Sequence, residues 1–171
     1  DGGDGLAVTF NNASASKIDY FLEGGVVYDV SVDRSADTVS GTITLTVRNT
    51  SPTTGLPDYV IGNQVGEPVG TNVTYLTVYS GLPITGYTVD GQPGEFSLSS
   101  EAGYNAASTY LALPAGASST IVLTVEGSIP DDVAYRLTVS NMPLVRPFDV
   151  QVVVDGVPAE PITEAGVTRI G

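Results

Sequence analysis

Short runs in which apolar and polar residues alternate dominate the chain, each bounded by Gly, Pro, Asn or Asp. The clearest runs from Thr38 to Asn49 (TVSGTITLTVRN), where Val39, Ile43, Leu45 and Val47 fall on one face and Ser40, Thr42, Thr44, Thr46 and Arg48 on the other. A period of two with β-branched residues on both sides predicts a half-buried strand. The same pattern predicts strands at Val26 to Val32, Asn72 to Ser80, Tyr104 to Leu113, Ser119 to Val125, Ala134 to Ser140 and Phe148 to Val154. Weaker patterns stand at Thr85 to Val89, Glu95 to Ser99 and Ile162 to Ile170.

The breaks between these runs have backbone reasons. Asp90-Gly91 and Asp155-Gly156 tolerate positive φ, and Pro114-Ala115-Gly116 closes one strand before the next. Against this background only Ser14 to Leu22 (SASKIDYFL) predicts a helix, about two turns long and capped by a preceding Ser or Asn. Two longer polar loops, Asn49 to Gly70 and Ser128 to Asp132, could carry crossings between sheets, as a Greek key needs. The expectation is an all-β, immunoglobulin-like β-sandwich (Greek key) with a short N-terminal helix. Asp131, Tyr135 and Leu137 partly match the tyrosine corner of such domains. No repeat or low-complexity linker divides the chain. It reads as a single domain over 1–171, with 1–10 as a flexible lead-in, because DGGDG contains nothing apolar to hold it down.

Composition narrows the chemistry. The 171 residues suffice to bury about two-thirds of the unfolded surface. There is no Cys, which removes disulfides, thiolate nucleophiles and thiolate metal sites, and there is no His or Trp. Without His, the Ser-His-Asp and Cys-His hydrolytic arrangements are excluded, and so is the commonest neutral metal ligand. Nineteen acids against six bases give a formal charge of −13, which repels phosphate backbones and anionic lipid. No apolar run approaches the ~20 residues that cross a bilayer, and the first residues do not resemble a signal peptide. The chain therefore reads as an excised or mature piece, with any targeting signal or anchor outside it.

Several stretches, in order, are similar to a known family: NNASASKIDYFLEGGVVYDVSV, TLTVRNTSPTTGLPDYVIG, YSGLPITGYTVDGQP, LALPAGASSTIVLTVEG and YRLTVSNMPLVRPFDVQV. Together they resemble the C-terminal region of bacterial surface proteins of the domain of unknown function 4012 family, associated with high-GC Gram-positive bacteria. The most specific pieces are Lys17-Ile18-Asp19-Tyr20 and Asn49 through Gly55-Leu56-Pro57-Asp58-Tyr59-Val60. The resemblance implies an extracellular, cell-surface or cell-wall location and an accessory domain attached to a larger N-terminal region. It transfers no catalytic residue.

Four constellations could carry function. The loop TSPTTGLPDYVIG mixes turn residues with apolar Leu56, Tyr59, Val60 and Ile61 and one acid, so Asp58 and Tyr59 form a candidate binding loop. The competing reading has Leu56 and Tyr59 plugging the end of the sandwich while Asp58 caps a short helical turn. Calcium, the one cofactor that clustered acids on an exported domain suggest, could use Asp29, Asp33 and Asp37, although no EF-hand spacing is present. The pairs Asp1 with Asp4 and Asp131 with Asp132 are weaker candidates. Lys17, the single lysine, is the one residue able to form a Lys–Asn isopeptide bond. Finally, Tyr59, Tyr75, Tyr79, Tyr87, Tyr104 and Tyr110 crowd the middle of the chain, where exposed rings could stack on sugars. Tyr75 and Tyr79 share a strand face, for which packing between the sheets is the expected fate. The leading expectation is a non-catalytic structural or interaction domain of a bacterial cell-envelope protein, with other envelope domains or cell-wall glycan as partners and neither nucleic acid nor membrane. A carbohydrate-binding module is the alternative, followed by a carboxylate-based glycosidase, for which no acid pair is singled out.

Overall fold

The structure is a computed structural model and describes residues 3–128 and 134–171. Alternation of the predicted kind builds nearly everything seen. Twelve-residue strands β2 (Leu22–Asp33) and β3 (Thr38–Asn49) pair antiparallel along their whole length. β3 buries Val39, Ile43, Leu45 and Val47 and exposes Ser40, Thr42 and Thr46, with Thr44 half-buried, an alternation its sequence predicts.

Two mixed sheets result. In the first, the order is β13 (Gly166–Ile170), β10 (Leu137–Asn141), β1 (Asp4–Asn12), β4 (Asn72–Ser80), β8 (Tyr104–Leu113) and β7 (Ser97–Glu101). In the second, it is β12 (Val157–Pro158), β11 (Asp149–Val154), β2, β3, β9 (Ser118–Ser128), β5 (Ile84–Val89) and β6 (Gln92–Pro93). Among the described residues, all pairings are antiparallel except two: β1 with β10 and β2 with β11. β10 and β11 thus flank the two N-terminal strands, one in each sheet.

The inner faces meet in one sandwich-like core. Leu6, Phe10, Leu76, Val78 and Leu137 of the first sheet and Tyr28, Ile43, Leu45, Leu123 and Val150 of the second belong to one cluster of buried side chains. Each fully buried Leu, Ile or Val contributes about 1.5–3 kcal/mol relative to exposure. The backbone of β2 is hemmed in within its own sheet at Gly24, where a Cβ would meet the Thr46 carbonyl oxygen at 2.2 Å and the Phe148 ring at 2.9 Å. Phe148 in turn packs edge-on against Phe10, with ring centroids 5.2 Å apart.

Two expectations at the N-terminus need correction. Residues 4–10 are not a flexible lead-in: they form β1, the strand between β4 and β10, with Asp4, Leu6, Val8 and Phe10 buried. The predicted helix over Ser14 to Leu22 is a single 3₁₀ turn at Ile18–Phe21. Side chains divert the backbone there. Asn12 Oδ1 accepts from the N–H of Ser14 and Ala15, Ala15 takes φ +57°, and Ser14 Oγ accepts from Val73 N. Such side-chain-to-backbone bonds compete with a helical ladder. Ile18 then turns inward to full burial, and Leu22 already begins β2.

Because β1 separates β10 from β4, deleting residues 3–12 exposes two strand edges and removes three core side chains. The truncated chain is expected to lose cooperative urea unfolding. An undiminished, cooperative transition would show that β1 is a dispensable arm.

Candidate functional site

The first residue of β1 sets the geometry. An inward-facing position at the start of a central strand would ordinarily be apolar, yet Asp4 occupies it at 5% exposure. Its carboxyl is fully engaged. Oδ2 accepts from the Tyr28 hydroxyl at 2.5 Å and the Tyr135 hydroxyl at 2.7 Å, and Oδ1 accepts from Gly5 N at 2.7 Å. Tyr28 belongs to β2 in the second sheet, so the Asp4–Tyr28 bond crosses the sandwich. Burial pushes both phenols well above the ordinary tyrosine range, and the Asp4 carboxyl beside them adds to the shift. Buried and bonded through both oxygens, Asp4 serves the fold.

The next residue faces the opposite way. A Cβ on Gly5 would lie 2.1 Å from Tyr104 Cε1, so the Tyr104 ring rests on the bare backbone of β1. Tyr104 is one of four tyrosines on the outer face of the first sheet. The β4–β8 register sets Tyr75 opposite Tyr110, Thr77 opposite Ser108 and Tyr79 opposite Ala106, while Leu76, Val78, Ala107 and Leu111 take the alternate, inward positions. Tyr104, two residues from Ala106, shares that outer face. The Tyr75 and Tyr110 rings pack with centroids 4.9 Å apart, and Tyr110 remains 70% exposed. Between the aromatic positions lie small residues: Ala106 is 2% exposed, and Thr77 Oγ1 and Ser108 Oγ share a buried hydrogen bond of 2.9 Å. At the β7 edge the Tyr79 hydroxyl donates to Glu101 Oε2 at 2.9 Å, a bond that raises the tyrosine's pKa.

The structure separates the residues singled out from the sequence. Tyr75 and Tyr79 do not pack between the sheets, because Leu76 and Val78 fill that side of β4. Tyr87 leaves the group: it lies in β5, stacked on Phe96 against the core. Asp58 and Tyr59 open a one-turn helix, α1 (Asp58–Ile61), in which Tyr59 is 68% exposed. Ile61 is the buried residue of this helix while Leu56 and Tyr59 stay exposed, and no side-chain cap bond forms there. The loop is instead tied down by Asn49, whose Nδ2 donates to the Gly70 and Leu113 carbonyls at 2.7 and 2.8 Å.

The calcium candidates do not converge. Asp29 and Asp33 lie four residues apart on β2, about 13 Å along the strand. Asp33 Oδ1 is occupied by the hydroxyl and N–H of Ser35 and the N–H of Ala36, of which the Ser35 hydroxyl does most to lower the Asp33 pKa. Asp37 sits in the following turn with φ +54°. Among the described residues no group of three acidic side chains is placed to hold a metal ion. Lys17 is exposed, not buried as an isopeptide donor must be, and its backbone N–H donates to the Tyr59 carbonyl. Of the tyrosine-corner residues, Asp131 lies outside the described residues, and the Tyr135 hydroxyl donates to Asp4.

No family model matches the chain, and no curated protein matches it. Among solved structures, it is similar to a Legionella pneumophila protein thought to be a nutrient-binding protein, at 9% identity and a TM-score of 0.44, over 78% of this chain and 55% of that one. Leukotriene A4 hydrolase of Saccharomyces cerevisiae aligns at 10% identity and 0.43, over 85% of this chain and 25% of that one. An M1 zinc metallopeptidase of Deinococcus radiodurans aligns at 14% and 0.36, over 86% and 38%. The chain spans little more than half of the first and well under half of the other two, and no functional statement rests on likenesses this distant. Nor does any helix among the described residues have the length and apolarity to cross a membrane.

Raised tyrosine pKa values set a pH dependence with a definite sign. With folded-state values above the unfolded one, Tyr28 and Tyr135 contribute in full below about pH 10 and lose that contribution as pH rises beyond it. Stability should then fall by up to about 1.4 kcal/mol per pH unit for each phenol. In an alkaline titration followed by phenolate absorbance, two of the nine tyrosines should ionise only as the chain unfolds. Reversible ionisation of all nine with unchanged circular dichroism would contradict the buried cluster.

Proposed function

We propose that the chain is a non-catalytic interaction domain of a bacterial cell-envelope protein, with the outer face of the first sheet as its contact surface. The observation that supports this best is the set of four tyrosines on that face, one of them 70% exposed, mounted on paired strands and spaced by small residues. Exposed aromatic groups of this kind mark contact sites more often than isolated apolar residues do. The absence of His and Cys and the enclosure of Asp4 favour a non-catalytic role. An extracellular, cell-surface or cell-wall location is part of the proposal and is supported by the resemblance to the domain of unknown function 4012 family. So is an immunoglobulin-like Greek key, favoured by the crossings from β3 to β4 and from β9 to β10 between the sheets.

Co-sedimentation with envelope preparations from a high-GC Gram-positive bacterium tests the reading. The chain should sediment with the envelope, and Tyr110→Ala should weaken retention by about tenfold, the equivalent of a contact of about 1.4 kcal/mol. Retention that is absent, or unaltered by Tyr110→Ala and Tyr75→Ala together, would reject this face as the contact surface. Turnover of an envelope glycan that a single carboxylate substitution abolishes would reject the non-catalytic assignment.

A further inference from the structure

We infer that the tyrosine face binds a neutral glycan chain, a step that names the ligand of the contact surface proposed above and rests on that reading. The first ground is shape. Gly5 lies beneath Tyr104, Ala106 is opposite Tyr79, and the Thr77–Ser108 pair separates Tyr79 from Tyr75. Small residues around large ones let rings lie down on a sheet and offer their faces to solvent. A pyranose has a matching apolar C–H face with hydroxyls at its rim, and a phenol ring, apolar in body and polar at its tip, complements both parts.

Spacing is the second ground. Tyr75 and Tyr79 stand four residues apart on β4, about 13 Å, and Tyr104 and Tyr110 six apart on β8, about 20 Å. The Tyr75–Tyr110 pair and the Tyr79–Tyr104 group therefore form two aromatic stations too far apart for one sugar ring. A ligand that touches both is a chain. Next to the second station, Glu101 accepts one hydrogen bond from Tyr79 and keeps further lone pairs for ligand hydroxyls.

Charge is the third ground, and it selects among ligands. Strands β1, β4, β7 and β8 contain no Lys or Arg, and their acids are Glu101 and the enclosed Asp4. With a net charge of −13 around it, this face repels uronate or phosphate polymers. The outward positions of β4 and β8 also lack the Leu, Ile and Met that an aliphatic protein interface uses: Ala, Ser, Thr, Tyr and one buried valine, Val73, occupy them.

Titration calorimetry with neutral oligosaccharides tests the assignment, using glucan, xylan, mannan, galactan and chitin fragments from one to six sugars and an oligouronate as the anionic control. At least one neutral series should bind, with affinity rising at least about tenfold between the monosaccharide and the longest fragment. Tyr110→Ala should weaken that binding by about tenfold and Tyr75→Ala by a comparable factor, each with an unchanged melting temperature. Tyr59→Ala, off the face, should bind as the parent does, and the oligouronate should not bind. The assignment is overturned if no neutral series binds, or if binding is indifferent to both face substitutions. It is overturned too if retention on envelopes depends on Tyr110 but survives enzymatic removal of their glycans, or if the face instead mediates self-association that Tyr110→Ala abolishes. In those last two cases the interaction-domain reading stands while the glycan fails, so the two claims separate.

Discussion

A carboxyl placed inside a sandwich must find its hydrogen bonds there, because burying it unpartnered costs several kcal/mol. Asp4 finds three, from Gly5, Tyr28 and Tyr135, and these donors come from the two ends of the chain and from the opposite sheet. Hydrogen bonds to a charged group are worth about 1.5–3 kcal/mol each, and the phenols share the penalty if the carboxyl is lost. The arrangement does what hydrophobic packing alone does poorly, since it specifies one register. Sliding β1 by a single residue would point Asp4 at solvent and present Gly5 to the core.

Much of the remaining architecture follows from having β1 fixed in that register. β10 pairs with it in parallel from Asp4↔Leu137 to Ala7↔Ser140, and β13 adds to β10. On its other side β1 meets β4, and the same alternation that sends Leu6, Val8 and Phe10 inward leaves bare backbone at Gly5 for the Tyr104 ring. The seat of Tyr104 on the outer face is thus displaced by one residue from the inner anchor. Asn49 repeats the logic at the other end, where a fully buried amide holds the carbonyls of Gly70 and Leu113 and closes the long loop without a hydrophobic plug from Tyr59.

How much of this the amino-acid pattern reveals depends on the range of the forces involved. Strands such as Thr38–Asn49, Asn72–Ser80 and Tyr104–Leu113 were legible to the residue, because alternation over nine or more positions is a local signal. The outward direction of Tyr75 and Tyr79 is carried by the same alternation, with Leu76 and Val78 as the inward pair. β1 is obscured by its own beginning: DGGDG reads as a tether, and only the short Leu6, Val8, Phe10 alternation behind it points to a strand. Nothing local could reveal the partners of Asp4, which lie 24 and 131 residues away. The helix expected at Ser14–Leu22 failed for a different reason, since Asn12 and Ser14 spend their side chains on turn and cross-strand bonds.

The measurement that tests this account most directly is a double-mutant cycle between Asp4 and Tyr135, read from urea unfolding of Asp4→Ala, Tyr135→Phe and the double variant. A direct buried bond predicts that the two effects couple by about 1–3 kcal/mol, with the double variant losing less than the sum of the single losses. Additivity to within about 0.5 kcal/mol would contradict it, and with it the claim that the first residue of β1 anchors the sandwich.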